Sequence, residues 1–158
     1  MANVPPKATT RVALNNSLIA ITIGVFFLTI NLKQELLLPR VLILQFILAI
    51  PLLFTSSLAY SKVGYRDKIE RWNKLAWITF ILGYAFILNV IGIFVGNIIG
   101  TLESIVFFII TWVLVIIYSL VDLSYKQTVL RERLAKDSIF ILIQLILGML
   151  PTLGVISF

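Results

Sequence analysis

Apolar residues in this chain come in long unbroken blocks. They neither alternate at a period of two nor form the narrow stripes of a water-soluble helix. Five blocks stand out: about Ala13–Leu32, Val41–Tyr60, Leu75–Val95, Glu103–Leu123 and Ile139–Ile156. Roughly 20 apolar residues suffice for a helix to cross the hydrocarbon of a bilayer, and a lipid-exposed span has no other way to pair its backbone except a closed barrel. The pattern predicts an all-α integral membrane protein, a single polytopic domain over residues 1–158. The last block leaves two readings open. It spans 18 residues, with Pro151 and Gly154 interrupting it. As a helix that length reaches about 27 Å, just enough to cross. It is either a fifth span or a re-entrant element beside four.

The polar positions between the blocks predict where the chain turns. Residues Met1 to Arg11, with Pro5 and Pro6, are expected to be irregular. Lys7 and Arg11 before the first block resemble the basic start of a secretory signal, but Lys33-Gln34-Glu35-Leu36 offers no small-residue cleavage site, so the block is read as a retained anchor. Pro51 in the second block removes one backbone donor and predicts a kink, and Pro151 predicts a break in the fifth. Gly96-Asn97 and Gly100-Thr101 mark the turn between the third and fourth blocks. Thr101 is placed to cap the following helix, as Ser138 is for the fifth.

Charge adds orientation. Lys7 and Arg11 precede the first block; Lys62, Arg66, Lys68, Arg71 and Lys74 lie between the second and third; Lys126, Arg131, Arg133 and Lys136 lie between the fourth and fifth. With five crossings these eleven cations share one face and only Lys33 and Arg40 lie on the other. The excess puts the N-terminus in the cytoplasm and the C-terminus outside. The expected location is the plasma (inner) membrane of a prokaryote. Tyr60, Tyr65, Trp72, Trp77 and Tyr125 gather near the basic side, as an interfacial belt does. The net charge of +6 is thereby explained by topology, and no direct nucleic-acid binding is expected.

Composition removes several chemistries. With no histidine and no cysteine, and no Asp or Glu near the middle of any block, neither a nucleophile with its base nor the usual zinc ligands can be assembled. No enzymatic activity and no cofactor are expected. Glu103 and Asp122 sit at helix ends as interfacial acids, Glu103 near the positive end of a helix dipole and Asp122 within reach of Tyr118 and Lys126.

The remaining candidates are uncharged. Asn15, Thr22 and Thr29 recur at intervals of seven, and Gln45, Asn89, Trp112 and Gln144 also fall at or near membrane depth. Such groups either hydrogen-bond neighbouring helices, line a hydrated path or meet a second protomer. Gly92, Gly96, Gly100 and Ser104 form a small-residue ladder, read mainly as turn chemistry and secondarily as close packing, with Gly83 and Gly92 the packing glycines. The function these features imply is a membrane-embedded, homo-oligomeric scaffold or anchor, surrounded by membrane lipid. Its basic loops, carrying Lys62, Arg66, Lys68, Arg71, Lys74, Lys126, Arg131, Arg133 and Lys136, would dock a soluble cytoplasmic protein or anionic lipid headgroups. The membrane arms of bacterial defence or stress systems are of this class. The alternative is a small oligomeric channel or transporter using the polar stripe of the first span.

Overall fold

A computed structural model of the chain describes residues 6–32, 40–63, 69–125 and 130–155; within these, the side chains of residues 6–7, 29, 32, 122–125 and 130–133 are left out of the description. The described residues are helical except at Ile99, Gly100 and 153–155, with no strand among them. They form α1 (Pro6–Leu32), α2 (Arg40–Val63), α3 (Ile69–Ile98), α4 (Thr101–Tyr125), α5 (Leu130–Gln144), a π-turn (Leu145–Met149) and α6 (Leu150–Thr152). Five stretches are long and apolar enough to cross a membrane: Ala8–Leu28, Arg40–Val63, Ile69–Ile98, Thr101–Val121 and Leu134–Thr152.

Several boundaries differ from the sequence reading, each for a local reason. The first helix begins at Pro6, where irregular chain was expected through Arg11. Proline suits the first helical turn, because its ring presets φ and its missing N–H has no partner to lose there. Helix α2, Arg40–Val63, outruns the Val41–Tyr60 block at both ends and carries Pro51 inside it, on the exposed side. Helix α3 runs through Gly96 and Asn97, and the turn is confined to Ile99 and Gly100. The Ser104 N–H bonds the Gly100 carbonyl at 3.3 Å, so Gly100 is the cap and Thr101 the first helical residue. Ser138 caps nothing: α5 starts at Leu130, eight residues earlier in the chain.

The end of the last helix shows how Pro151 is accommodated. Proline cannot donate to the carbonyl four residues back and its ring crowds that carbonyl. The chain widens into the π-turn just before it, with the Leu150 N–H bonded to the Leu145 carbonyl. It then closes at Gly154, in the left-handed region at φ 70°. Gly154 N–H bonds the Pro151 carbonyl and Val155 N–H the Leu150 carbonyl, both at 3.1 Å. That pair of bonds is a Schellman stop, for which glycine is the favoured residue.

The chain packs as two compact units, Met1–Ile87 and Leu88–Phe158, the division falling within α3. In the first unit α2 lies along α1, and Phe26 meets Phe46 edge to face at 5.5 Å between ring centroids. The buried row Leu42, Phe46, Ala49, Leu53 and Ser56 recurs every three or four residues, the period of one helix face. Ala49 and Leu53 lie against Gly83 of α3, where a side chain would collide with Leu53. Ala59, Tyr60 and Ala76 close the basic end, flanked by Val12, Val63 and Trp72. In the second unit Phe108 of α4 is the wedge: its ring fills the space beside Gly92 of α3 and Gly148 of the π-turn. Lipid tails are as apolar as leucine, so such close contacts, rather than burial from water, hold membrane helices together.

Candidate functional site

In the first unit one hydroxyl joins three helices. The Asn15 side-chain amide of α1 donates to Ser56 Oγ of α2 at 2.9 Å, and Ser56 Oγ donates to the Ala76 carbonyl of α3 at 2.7 Å. Asn15, Ser56 and Ala76 are each 0% exposed. One residue along, Ser57 Oγ donates to Asn16 Oδ1 at 3.2 Å. One turn nearer the basic end, Arg11 donates to the Tyr60 hydroxyl and lies 5.1 Å from the centre of its ring. A guanidinium so placed gains from the ring quadrupole and the phenol oxygen together. These contacts run in register along α1 and α2, a ladder of polar rungs.

The other members of the expected stripe behave differently. Thr22 is buried, but its hydroxyl bonds the Leu18 carbonyl of its own helix at 2.6 Å. Thr79 likewise returns to Leu75 and Ala76 of α3 at 2.8 and 3.2 Å. Gln45 is buried within the chain. Asn15, Thr22 and Gln45 are therefore buried within the folded protomer, and Asn15 Oδ1 has no partner among the described residues. The Thr29 side chain lies outside the described residues.

The second unit brings Asn89, Trp112 and Gln144 together. Trp112 Nε1–H donates to Gln144 Oε1 at 2.8 Å, supplying the acceptor that an indole needs away from water. Because the indole can only donate, it fixes which end of the Gln144 amide faces it. Gln144 is 0% exposed, and its Nε2 has no partner among the described residues. The Asn89 side-chain amide reaches the Ile143 carbonyl at 3.5 Å, and its Oδ1 lies against Gly148. Ser104 Oγ donates to the Gly92 carbonyl at 2.7 Å, joining α4 to α3. Gly96 faces Thr152 and Ser104, so it packs helices together although the sequence suggested a turn there.

The π-turn serves this arrangement. Phe140, Gln144 and Gly148 are buried, and Thr152 faces Gly96, a row with a spacing of four. In a straight α-helix such a row drifts by about 40° per step. A stretch of π-helix turns less per residue and brings the row back to one face. The sequence carries a signal for it, the proline at 151 following a glycine at 148, which on first reading suggests only a break.

Charged residues remain at the helix ends. Lys62, Arg71 and Lys74 are exposed, Lys74 pairing with Glu70 at 2.8 Å, and Lys136 is half-buried on α5. Glu103 is exposed at the start of α4, its carboxylate folded over Gly100. Arg66, Lys68 and Lys126, and the side chains of Asp122, Arg131 and Arg133, lie outside the described residues. Sequence reasoning passed over Asn16, Ser57 and Ser119, because a single serine in an apolar block carries no sign of its partner. Compared with known proteins, the chain matches no family model, no curated protein and no solved structure.

Proposed function

We propose that this protein is a non-enzymatic membrane subunit, an anchor that holds a soluble acidic partner at the cytoplasmic face of a prokaryotic plasma membrane. The observation that carries this reading is the division of labour among its polar side chains. Several of those deep in the helices close on one another or on their own backbone, as Asn15 does on Ser56, Trp112 on Gln144 and Thr22 on Leu18, while Ser119 Oγ and Gln144 Nε2 keep no partner among the described residues. Those left exposed at helix ends include the cations Lys62 and Arg71. A path for ions needs polar groups turned to water along the membrane depth, whereas an anchor needs a rigid apolar body and a charged end. The five apolar helices supply the first and the basic ends the second.

In this reading the N-terminus and the segments around Lys62–Lys74 and Lys126–Lys136 face the cytoplasm, and five crossings put the C-terminus outside. Cysteines introduced as Ser61→Cys and Ser124→Cys resist an impermeant thiol reagent in intact cells and react after lysis. Labelling from outside at either position sinks the topology. For the anchor itself, the chain is solubilised in mild detergent and the particle mass compared with that of one protomer plus micelle. The expected particle carries an additional soluble protein, lost when Lys62, Arg71 and Lys74 are together changed to glutamate. A particle of this chain alone, with ion flux in proteoliposomes, favours the channel instead.

A further inference from the structure

We infer that the ends of α4 and α5 form a binding site for a primary ammonium group, and that its occupant is the headgroup of an aminated phospholipid. A cavity of about 160 Å³ lies between these helices, walled by Ile116, Leu120 and Ile141 and carrying three polar side chains, Ser119, Asp137 and Ser138. That is room for several waters, or for a small aminoethyl group.

Ser119 is the feature that calls for a ligand. Ser17, Thr22, Thr79, Thr111 and Thr152 all return their hydroxyls to the carbonyl four residues earlier, the usual resort of a hydroxyl on an apolar helix. Ser119 does not. It is 6% exposed and lines the cavity, and its Oγ has no hydrogen-bond partner among the described residues. A hydroxyl left so in apolar surroundings carries a desolvation cost that a ligand can relieve. Across the cavity Asp137 is half-buried and makes no ion pair with the described residues.

The donor set selects the cation. Calcium and magnesium take six or more oxygens. One carboxylate and two hydroxyls among aliphatic walls are too few. A primary ammonium offers three N–H donors and one charge, matching the Asp137 carboxylate and the Ser119 and Ser138 hydroxyls. The apolar lining continues onto the exposed residues Ile116, Leu120 and Leu134, a surface for the attached hydrocarbon. That continuity favours a lipid over a free amine.

This inference rests on the membrane reading, which is tested first by recovery of the chain in the detergent-extracted membrane fraction; a chain recovered without detergent overturns both. The full chain is then placed in nanodiscs of equal parts phosphatidylethanolamine and phosphatidylcholine, and retained lipids are counted by native mass spectrometry. The choline headgroup has the same charge but no N–H donors. The wild-type chain is expected to retain phosphatidylethanolamine over phosphatidylcholine by roughly tenfold, one charge-assisted hydrogen bond's worth. Asp137→Asn and Ser119→Ala are each expected to bring the ratio close to one, and Asp137→Glu to keep the preference. Equal retention of the two lipids by the wild type overturns the proposal whatever the variants do, as does a preference unchanged in both Asp137→Asn and Ser119→Ala. If octylammonium binds the delipidated particle while neither lipid is preferred, the site takes a soluble amine and the lipid assignment fails.

Discussion

The two units hold their buried polar groups by different means, and the difference shows which part of the molecule depends on shape and which on hydrogen bonding. In the first unit the tie is a relay of small groups: Asn15 to Ser56 to the Ala76 carbonyl, with Ser57 to Asn16 beside it. Each bond crosses between helices, and the exposed glycine of α1, Gly24, has nothing within 4 Å of where a side chain would begin. In the second unit the tie is a wedge. Phe108 fills the space that side chains on Gly92 and Gly148 would need, and the Trp112–Gln144 bond is set into that contact. A relay loses one link at a time. A wedge between glycines has no room to give, because the atom in the way is a ring held by its own helix.

Glycine substitutions test that contrast with the largest effect. Gly148→Leu places a side chain where Asn89 Oδ1, at 2.5 Å, and the Phe108 ring, at 2.7 Å, already lie. Overpacking of this kind costs about 3 kcal/mol or more when nothing can yield. The expected outcome is loss of the monodisperse peak in detergent chromatography, shared by Gly92→Leu. Gly24→Leu leaves the peak unchanged, and equal damage from all three would mean that the loss does not report the Phe108 wedge.

Next in size is the amide of the second unit. Gln144→Leu strands the Trp112 indole N–H in apolar surroundings, and an orphaned donor costs about 1–3 kcal/mol. Thermal unfolding followed by tryptophan fluorescence is expected to shift down. Replacing the donor as well, as Trp112→Phe with Gln144→Leu, recovers part of the loss, and purely additive effects in this cycle would falsify the bond as a stabilising contact. The relay of the first unit is expected to be milder. Ser56→Ala removes two hydrogen bonds that in membrane bundles average about 0.6 kcal/mol each, for a total of about 1 kcal/mol. Urea-resistant proteolysis in detergent, read as cleavage between α2 and α3, measures it.

Smallest of all is Thr22→Val. Its hydroxyl serves only the Leu18 carbonyl of its own helix, so the exchange is expected to stay within about 0.5 kcal/mol. Melting curves that shift by much more would mean that Thr22 has a partner outside the protomer, and would restore the stripe on α1 as a contact between copies.

Much of the architecture was legible in the sequence because it follows from local chemistry. Five apolar blocks give five long helices, as a chain with so few charges has nowhere else to put its backbone. Asn15, Gln45, Asn89 and Gln144, which the sequence marks only as polar groups inside apolar blocks, are deeply buried in the protomer. Their partners were not legible. Asn15, Thr22 and Thr29 share a face of one helix by their spacing, yet spacing says nothing of what lies opposite. Asn15 meets a serine, whereas Thr22 bonds its own backbone. The glycine ladder was half legible. Gly100 does belong to the turn, while Gly96, one helical turn before it, packs against Thr152 and Ser104.

What the sequence alone determined is where helices form and how apolar they are, since both depend on residues within a turn or two of one another. The stop at Gly154 belongs here too, for it needs only a glycine free to take positive φ after a proline-bearing turn. The tertiary structure decided everything that depends on two segments meeting. It set which hydroxyl joins α1, α2 and α3, which glycines admit the Phe108 ring, and why the last helix widens into a π-turn to keep Gln144 and Gly148 on one face. Helices this apolar on every side have little to choose between their faces by burial alone, so their facing is chosen by a few hydrogen bonds and close contacts. Those are properties of pairs of residues far apart in the chain, and only the folded chain brings the pairs together.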